Sequence, residues 1–149
     1  MTFRTVVLLL ATVAAGLQAG TYYVWACGVM PGLARVDDRT FVTALHHMNQ
    51  AIVNPVFMLS FLGAPLLAGI ALATGPGRGW VAAGLALAVL TLLITVAANV
   101  PLNDALDRAT AHPAAAREAF ESAWVRWNLA RTITSTGALA ALATAALRG

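Results

Sequence analysis

Residues 79–103 read GWVAAGLALAVLTLLITVAANVPLN, and no charged side chain falls among them. A helix needs about 20 consecutive apolar residues to cross the hydrocarbon core of a bilayer, so this stretch is long enough to span. It is closed by Arg78 on one side and Asp104 on the other. Moving toward the N-terminus, residues 40–77 between Arg39 and Arg78 are also free of Asp, Glu, Lys and Arg, as are residues 5–34 between Arg4 and Arg35. Moving toward the C-terminus, Arg131 and Arg148 enclose 16 such residues, or roughly 24 Å of helix at ~1.5 Å per residue. That is short for a span, but Arg131 and Arg148 can extend along their stems toward headgroups and Trp127 can sit at the interface. The reading is an all-α chain, a bundle of four transmembrane helices over about 3–26, 51–74, 80–100 and 127–147, with amphipathic helical extensions on one membrane face.

Composition agrees. The chain is 60% hydrophobic and 10% charged, whereas soluble domains carry about a quarter of their residues as charges. Its 149 residues form one domain by length. All nine basic residues are Arg, scattered along the chain, and the net charge of +3 gives no basic face for nucleic acid. The single cysteine, Cys27, excludes an internal disulfide and any site built on several thiolates. Arg4 followed by an apolar run imitates a secretory signal. The run continues to Met30, however, and Leu17-Gln18-Ala19 is a poor cleavage site, so it reads as a retained helix.

Proline and glycine predict where helices end. Helix one is expected to stop at Val29-Met30-Pro31-Gly32. A second helix begins after Asp37-Asp38, acids at its positive dipole end, and runs to Thr74 with kinks at Pro55 and Pro65. Gly75–Gly79 is a tight loop, and helix three closes at Asn99-Val100-Pro101. The last helix rises from Ala114 through Trp124 to Leu147. The termini and the Gly75–Gly79 loop hold Arg4, Arg78 and Arg148 and no acids, which favours cytoplasmic termini in a bacterial-type cytoplasmic membrane. The opposite face carries six Arg and all six acids, and counting Arg alone favours that face instead.

Polar side chains in lipid are costly, so their positions carry information. On a helical wheel Gln18, Tyr22 and Trp25 share a face. His46, His47, Gln50 and Asn54 share an arc with Asn49 at its margin. Thr91, Thr95 and Asn99 form a ladder with Asn103 beyond it, and Trp124, Asn128, Arg131 and Ser135 form a stripe. All four lie toward the acid-bearing side. Their convergence predicts a polar pocket open to that face. Hydrogen bonding between helices is the plainer reading of the Thr ladder, and the interfacial belt is the plainer reading of Tyr22, Trp124 and Trp127. Asn54 can also satisfy the carbonyl of Ala51, which Pro55 deprives of its donor. Adjacent His46 and His47 point about 100° apart, which does not suit one metal. A histidine does suit a general base, because it titrates near neutrality. No nucleophile elbow, phosphate loop or dinucleotide fingerprint occurs.

Five motifs occur in order: Gly20-Thr-Tyr-Tyr23, Val29-Met-Pro-Gly-Leu33, Met48-Asn-Gln-Ala-Ile-Val-Asn-Pro55, Asn99-Val-Pro-Leu-Asn103 and Trp124-Val-Arg-Trp-Asn128-Leu-Ala-Arg131. Together they resemble the anthrone oxygenase family of small four-helix membrane proteins, over nearly the whole chain. The resemblance maps the family's Asn-rich motif onto Asn49 and Asn54, its Asn-x-Pro-x-Asn onto Asn99, Pro101 and Asn103, and its Trp-Asn-Arg onto Trp127, Asn128 and Arg131. It implies oxidation of a flat phenolic, polyketide-type substrate to a quinone, with O2 as co-substrate and no metal or organic cofactor. His47 or His46 would be the base, and Arg131 with Asn54, Asn99 or Asn128 would hold the substrate oxygen. Tyr22, Trp124 and Trp127 would stack on the ring system, with Trp25, Asn49, Gln50 and Asn103 as further binding residues. The partners implied are a lipophilic aromatic small molecule and membrane lipid, and a homo-oligomer is compatible with the sequence. Two rival readings are a non-catalytic membrane subunit or lipophile-binding protein, and a metal or haem oxidoreductase.

Overall fold

The computed structural model describes residues 2–75 and 78–148, and these are all helical or connecting turns. The turn expected over Gly75–Gly79 includes Pro76 and Gly77, which lie outside the described residues. Three helices are long and apolar enough to cross a membrane: Phe3–Leu33, Pro55–Ala73 and Arg78–Arg108. The fourth predicted span, 127–147, lies within a helix of 36 residues, Pro113–Arg148, roughly 54 Å long against a hydrocarbon core of about 30 Å. That helix is less apolar than the other three because Asn128, Arg131 and Ser135 lower its hydropathy, but these three groups turn inward and are buried. Leu129 and Ile133 on the same helix face outward. The chain is therefore a helical membrane bundle whose fourth member carries its polarity on the inside.

In chain order the elements are α1 (Phe3–Val24), a π-helical turn (Trp25–Val29), α2 (Met30–Leu33), α3 (Asp38–Ile52), α4 (Pro55–Ala73), α5 (Arg78–Ile94), a second π-helical turn (Thr95–Asn99), α6 (Val100–Arg108) and α7 (Pro113–Arg148). Helix α7 packs along both α1 and α5, and α4 closes the bundle against α1 and α5.

The predicted helix ends need correction at all three interruptions. Helix one does not stop at Pro31, nor helix three at Pro101; each continues through the proline. A proline ring crowds the carbonyl four residues back and offers no N–H. Both prolines are preceded by a widened turn, in which Met30 N–H bonds the Trp25 carbonyl and Val100 N–H bonds the Thr95 carbonyl, five residues back. The expected continuous helix over Asp38–Thr74 is instead cut at Val53-Asn54. Asn54, extended at φ −130° and ψ 161° as a residue before proline prefers, caps α4 by accepting from Phe57 N–H at 3.0 Å. Its amide nitrogen donates to the Ala51 carbonyl at 2.9 Å, the role its place beside Pro55 suggests.

Two kinds of core meet in this fold. Within the spans the interior is built from small residues: Ala11, Ala14, Ala15, Ala64 and Ala68 are buried, while Val13, Leu17, Leu59 and Leu66 face outward. Helices associate in lipid by close backbone approach rather than by excluding water, which selects small residues inside. Beyond the spans α2, α3, α6 and the first turns of α7 form a cap with a conventional large-residue core of Phe41, Leu45, Leu106, Phe120 and Trp124. Asp37 opens α3 by accepting from Thr40 N–H at 3.0 Å and from its hydroxyl at 2.6 Å, and this side-chain bond holds its carboxyl below the usual range. Arg117 joins the cap together, donating to Glu121 at 2.8 Å, to the Val36 carbonyl at 2.8 Å and to Asp38 at 3.1 Å.

The closest helix contact predicts its own sensitivity. A Cβ on Gly84 would lie 2.7 Å from Leu142 Cγ. Gly84→Leu is therefore expected to destabilise the α5–α7 contact by about 1–3 kcal/mol, read as a lower midpoint in detergent unfolding. An unchanged midpoint would contradict this packing.

Candidate functional site

The cap and the bundle meet at a cavity of about 330 Å³, within the range of ~300–1,000 Å³ typical of small-molecule sites. Tyr22, Trp25, Asn49, Asn103, Trp124 and Arg131 line it, so the cavity draws side chains from α1, its π turn, α3, α6 and α7. Both π turns supply wall residues, Trp25 from the first and Thr95 from the second. Phe57 and Phe61 of α4, stacked at 5.5 Å and 17°, add a further aromatic surface.

Arg131 is the chemical centre of this wall. It is 6% exposed, and its guanidinium carbon lies 4.4 Å from the centre of the Tyr22 ring and 5.3 Å from that of Trp124. Nη2 donates to Asn128 Oδ1 at 3.0 Å, and the Asn128 amide nitrogen donates to the Tyr22 carbonyl at 3.1 Å. Nε has no hydrogen-bond partner, and among the described residues no carboxylate pairs with this guanidinium. A buried cation without a counterion carries a desolvation cost that two aromatic faces offset only in part. An anion about 4 Å away would be attracted by about 4 kcal/mol at an effective dielectric of ~20.

The aromatic walls are fixed by their polar ends. The Tyr22 hydroxyl donates to Gln18 Oε1 at 2.7 Å, and Gln18 Nε2 donates to Ser60 Oγ at 2.9 Å. Trp124 donates its indole N–H to Asn103 Oδ1 at 2.8 Å and packs on Trp25 at 5.2 Å and on Phe120 at 5.9 Å. Rings held this way leave flat faces toward the cavity without losing side-chain entropy when a ligand enters.

Seven other residues that the sequence assigns to the site lie off the cavity wall. Asn54 caps α4, and Asn128 is buried behind Arg131 and orients it. Asn99 is 1% exposed, and neither its amide nitrogen nor its oxygen finds a partner among the described residues. Trp127 is 46% exposed on the outer face of α7. His47 and Gln50 are exposed on α3, and Gln50 Nε2 sits 3.1 Å from His46 Nε2. His46 is half-buried at the rim, with Nδ1 3.2 Å from Asp107 Oδ1.

Asp104 and Asp107, both in the cavity wall, are the polar residues that sequence reasoning missed. Asp107 also accepts from Asn49 Nδ2 at 3.2 Å. The signal was present: Asn99, Asn103 and Asp107 follow at intervals of four. Ending the helix at Pro101 cut that stripe in two.

Among the described residues no group of three or more His, Cys, Asp or Glu is placed to hold a metal ion. Residues 41–141 match the family model described as anthrone oxygenase. No curated protein and no solved structure matches the chain. The matched stretch holds His46, Asn49, Asn103, Asp107, Trp124 and Arg131, while Tyr22 and Trp25 precede it. The chain belongs to the anthrone oxygenase family.

Proposed function

We propose that this protein is a membrane oxygenase that converts a flat phenolic, anthrone-type substrate to its quinone with O2 and without an organic cofactor. The observation that carries this reading is Arg131: a buried guanidinium with no counterion, stacked between two aromatic rings, on the wall of a cavity of small-molecule size.

The chemistry follows from the substrate. An anthrone has a CH2 group between two aryl rings and conjugated through them to a ketone. Loss of one methylene proton places negative charge on the ketone oxygen, and Arg131 is positioned to stabilise that charge as it develops. The enolate is electron-rich and gives one electron to O2. The substrate radical and superoxide combine at the same carbon to form a peroxide. The peroxide takes up a proton, and loss of the second C–H proton with departure of hydroxide then gives the carbonyl, so CH2 and O2 become C=O and water. Tyr22, Trp25 and Trp124 supply flat faces for the ring system, and a lipophilic substrate already partitions into the membrane where the cavity sits.

The test is O2 uptake and quinone formation by purified, metal-free protein given emodin anthrone. Equimolar O2 consumption and quinone appearance are expected. Activity that disappears on chelation and returns with added metal would replace this reading with a metal oxidoreductase. Binding of anthrones without any turnover would replace it with a lipophile-binding protein.

A further inference from the structure

We infer that Asp107 is the group that takes the methylene proton from the substrate and passes it to water, with His46 a positioning residue beside it. This rests on the oxygenase reading and assigns the proton acceptor within it.

The histidines themselves do not face the cavity. His47 is exposed, and both ring nitrogens of His46 lie beside protein groups, Nδ1 3.2 Å from Asp107 Oδ1 without a hydrogen bond and Nε2 3.1 Å from Gln50 Nε2. Asp107 does line the cavity, and its side chain is 27% exposed. Its Oδ1 already faces His46 and accepts from Asn49, which leaves Oδ2 for a substrate proton. Asp104 also lines the cavity, but it is exposed and stands one helical turn away from this pair. The arrangement is a carboxylate with one oxygen held by Asn49 and an imidazole 3.2 Å from that same oxygen.

The transfer balances simply. Asp107 Oδ2 accepts the methylene proton as the C–H pair becomes the enolate, while His46 Nε2 accepts from the Gln50 amide nitrogen. The carboxylic acid then releases the proton to water. The Asp107 carboxylate is then restored for the second C–H proton. The carboxylate is the group on the cavity wall, and Asn49 fixes it there. Arg131 on the same cavity wall lowers the cost of the enolate that forms.

Anaerobic exchange isolates this step from the chemistry of O2. The probe is emodin anthrone deuterated at its methylene, and loss of deuterium to water is followed by mass spectrometry in the absence of oxygen. The wild type is expected to exchange rapidly, Asp107→Ala to lose the catalysed exchange by about 100-fold or more, and added formate to restore it. His46→Ala is expected to slow exchange, and His46→Asn, which keeps a polar side chain beside Asp107, to recover part of it. Wild-type-like exchange by Asp107→Ala would overturn the assignment. So would formate failing to rescue a variant that still binds emodin anthrone. Oxygen-dependent turnover by the wild type without anaerobic exchange would also overturn it while leaving the oxygenase reading standing. Absence of both exchange and turnover in the wild type would remove the oxygenase reading and this assignment together.

Discussion

Arg131→Met is expected to lower the turnover number for anthrone oxidation by about 100- to 1,000-fold while changing the affinity for the neutral substrate much less. The reasoning is differential. The neutral ketone gains little from a guanidinium, whereas the enolate oxygen gains a charge-assisted bond in a site with few competing waters. Methionine preserves the unbranched, apolar bulk of the stem beside Tyr22 and Trp124, so the cavity keeps its shape. Arg131→Lys restores charge but not the planar group that lies over both rings, and should recover only part of the loss. Steady-state kinetics separate the cases: a variant with wild-type turnover and a raised KM would place Arg131 in ground-state binding alone.

The second large effect falls on stability. Trp124→Ala should destabilise the protein by about 3–5 kcal/mol, the range for removing a buried large aromatic. Trp124 is 4% exposed and belongs to the core of the cap. It also packs on Trp25 from the first π turn, lies over Arg131, and fixes Asn103 through its indole N–H. One side chain thus connects the cap to the bundle, and its loss should loosen both. Trp124→Phe keeps most of the ring packing and gives up the hydrogen bond, at about 1 kcal/mol. Detergent or thermal unfolding reads the difference, and equal midpoints for the two variants would contradict this dual role.

The bundle was legible because charge is what lipid forbids, and the charge-free runs are visible at a glance. The inward stripe on α7 was legible for the same reason: Trp124, Asn128, Arg131 and Ser135 recur at helical spacing and are all buried. Helix ends were read less well, and the cause is specific. Three prolines follow Met30, Asn54 and Val100 in positions that look alike in sequence. Asn54 carries an amide that caps the next helix, so the chain can break there at little cost. Met30 and Val100 carry no such group, so the helix widens by one residue and continues. Read that way, the side chain before each proline distinguishes a break from a π turn.

The candidate site was legible in outline only. Tyr22, Trp25, Asn49, Asn103, Trp124 and Arg131 do share one cavity, because the stripes that place them belong to helices that run true to period. His47 and Trp127 fall outside it because a neighbouring residue on a helix is turned by ~100°, and adjacency in sequence does not carry over to adjacency in the wall. Asp107 was hidden by the misplaced helix end. Its partners come from α3, 58 residues away for Asn49, a separation no local pattern encodes.

The buried guanidinium of Arg131 is proposed to hold an anionic substrate oxygen. Anaerobic spectroscopic titration of the purified protein with emodin anthrone tests it most directly, because enolate and neutral ketone absorb at different wavelengths. The account predicts that the wild type accumulates the bound enolate near neutral pH and that Arg131→Met binds the neutral form without the enolate band. Identical spectra for the two proteins, with the anthrone neutral in both, would contradict it.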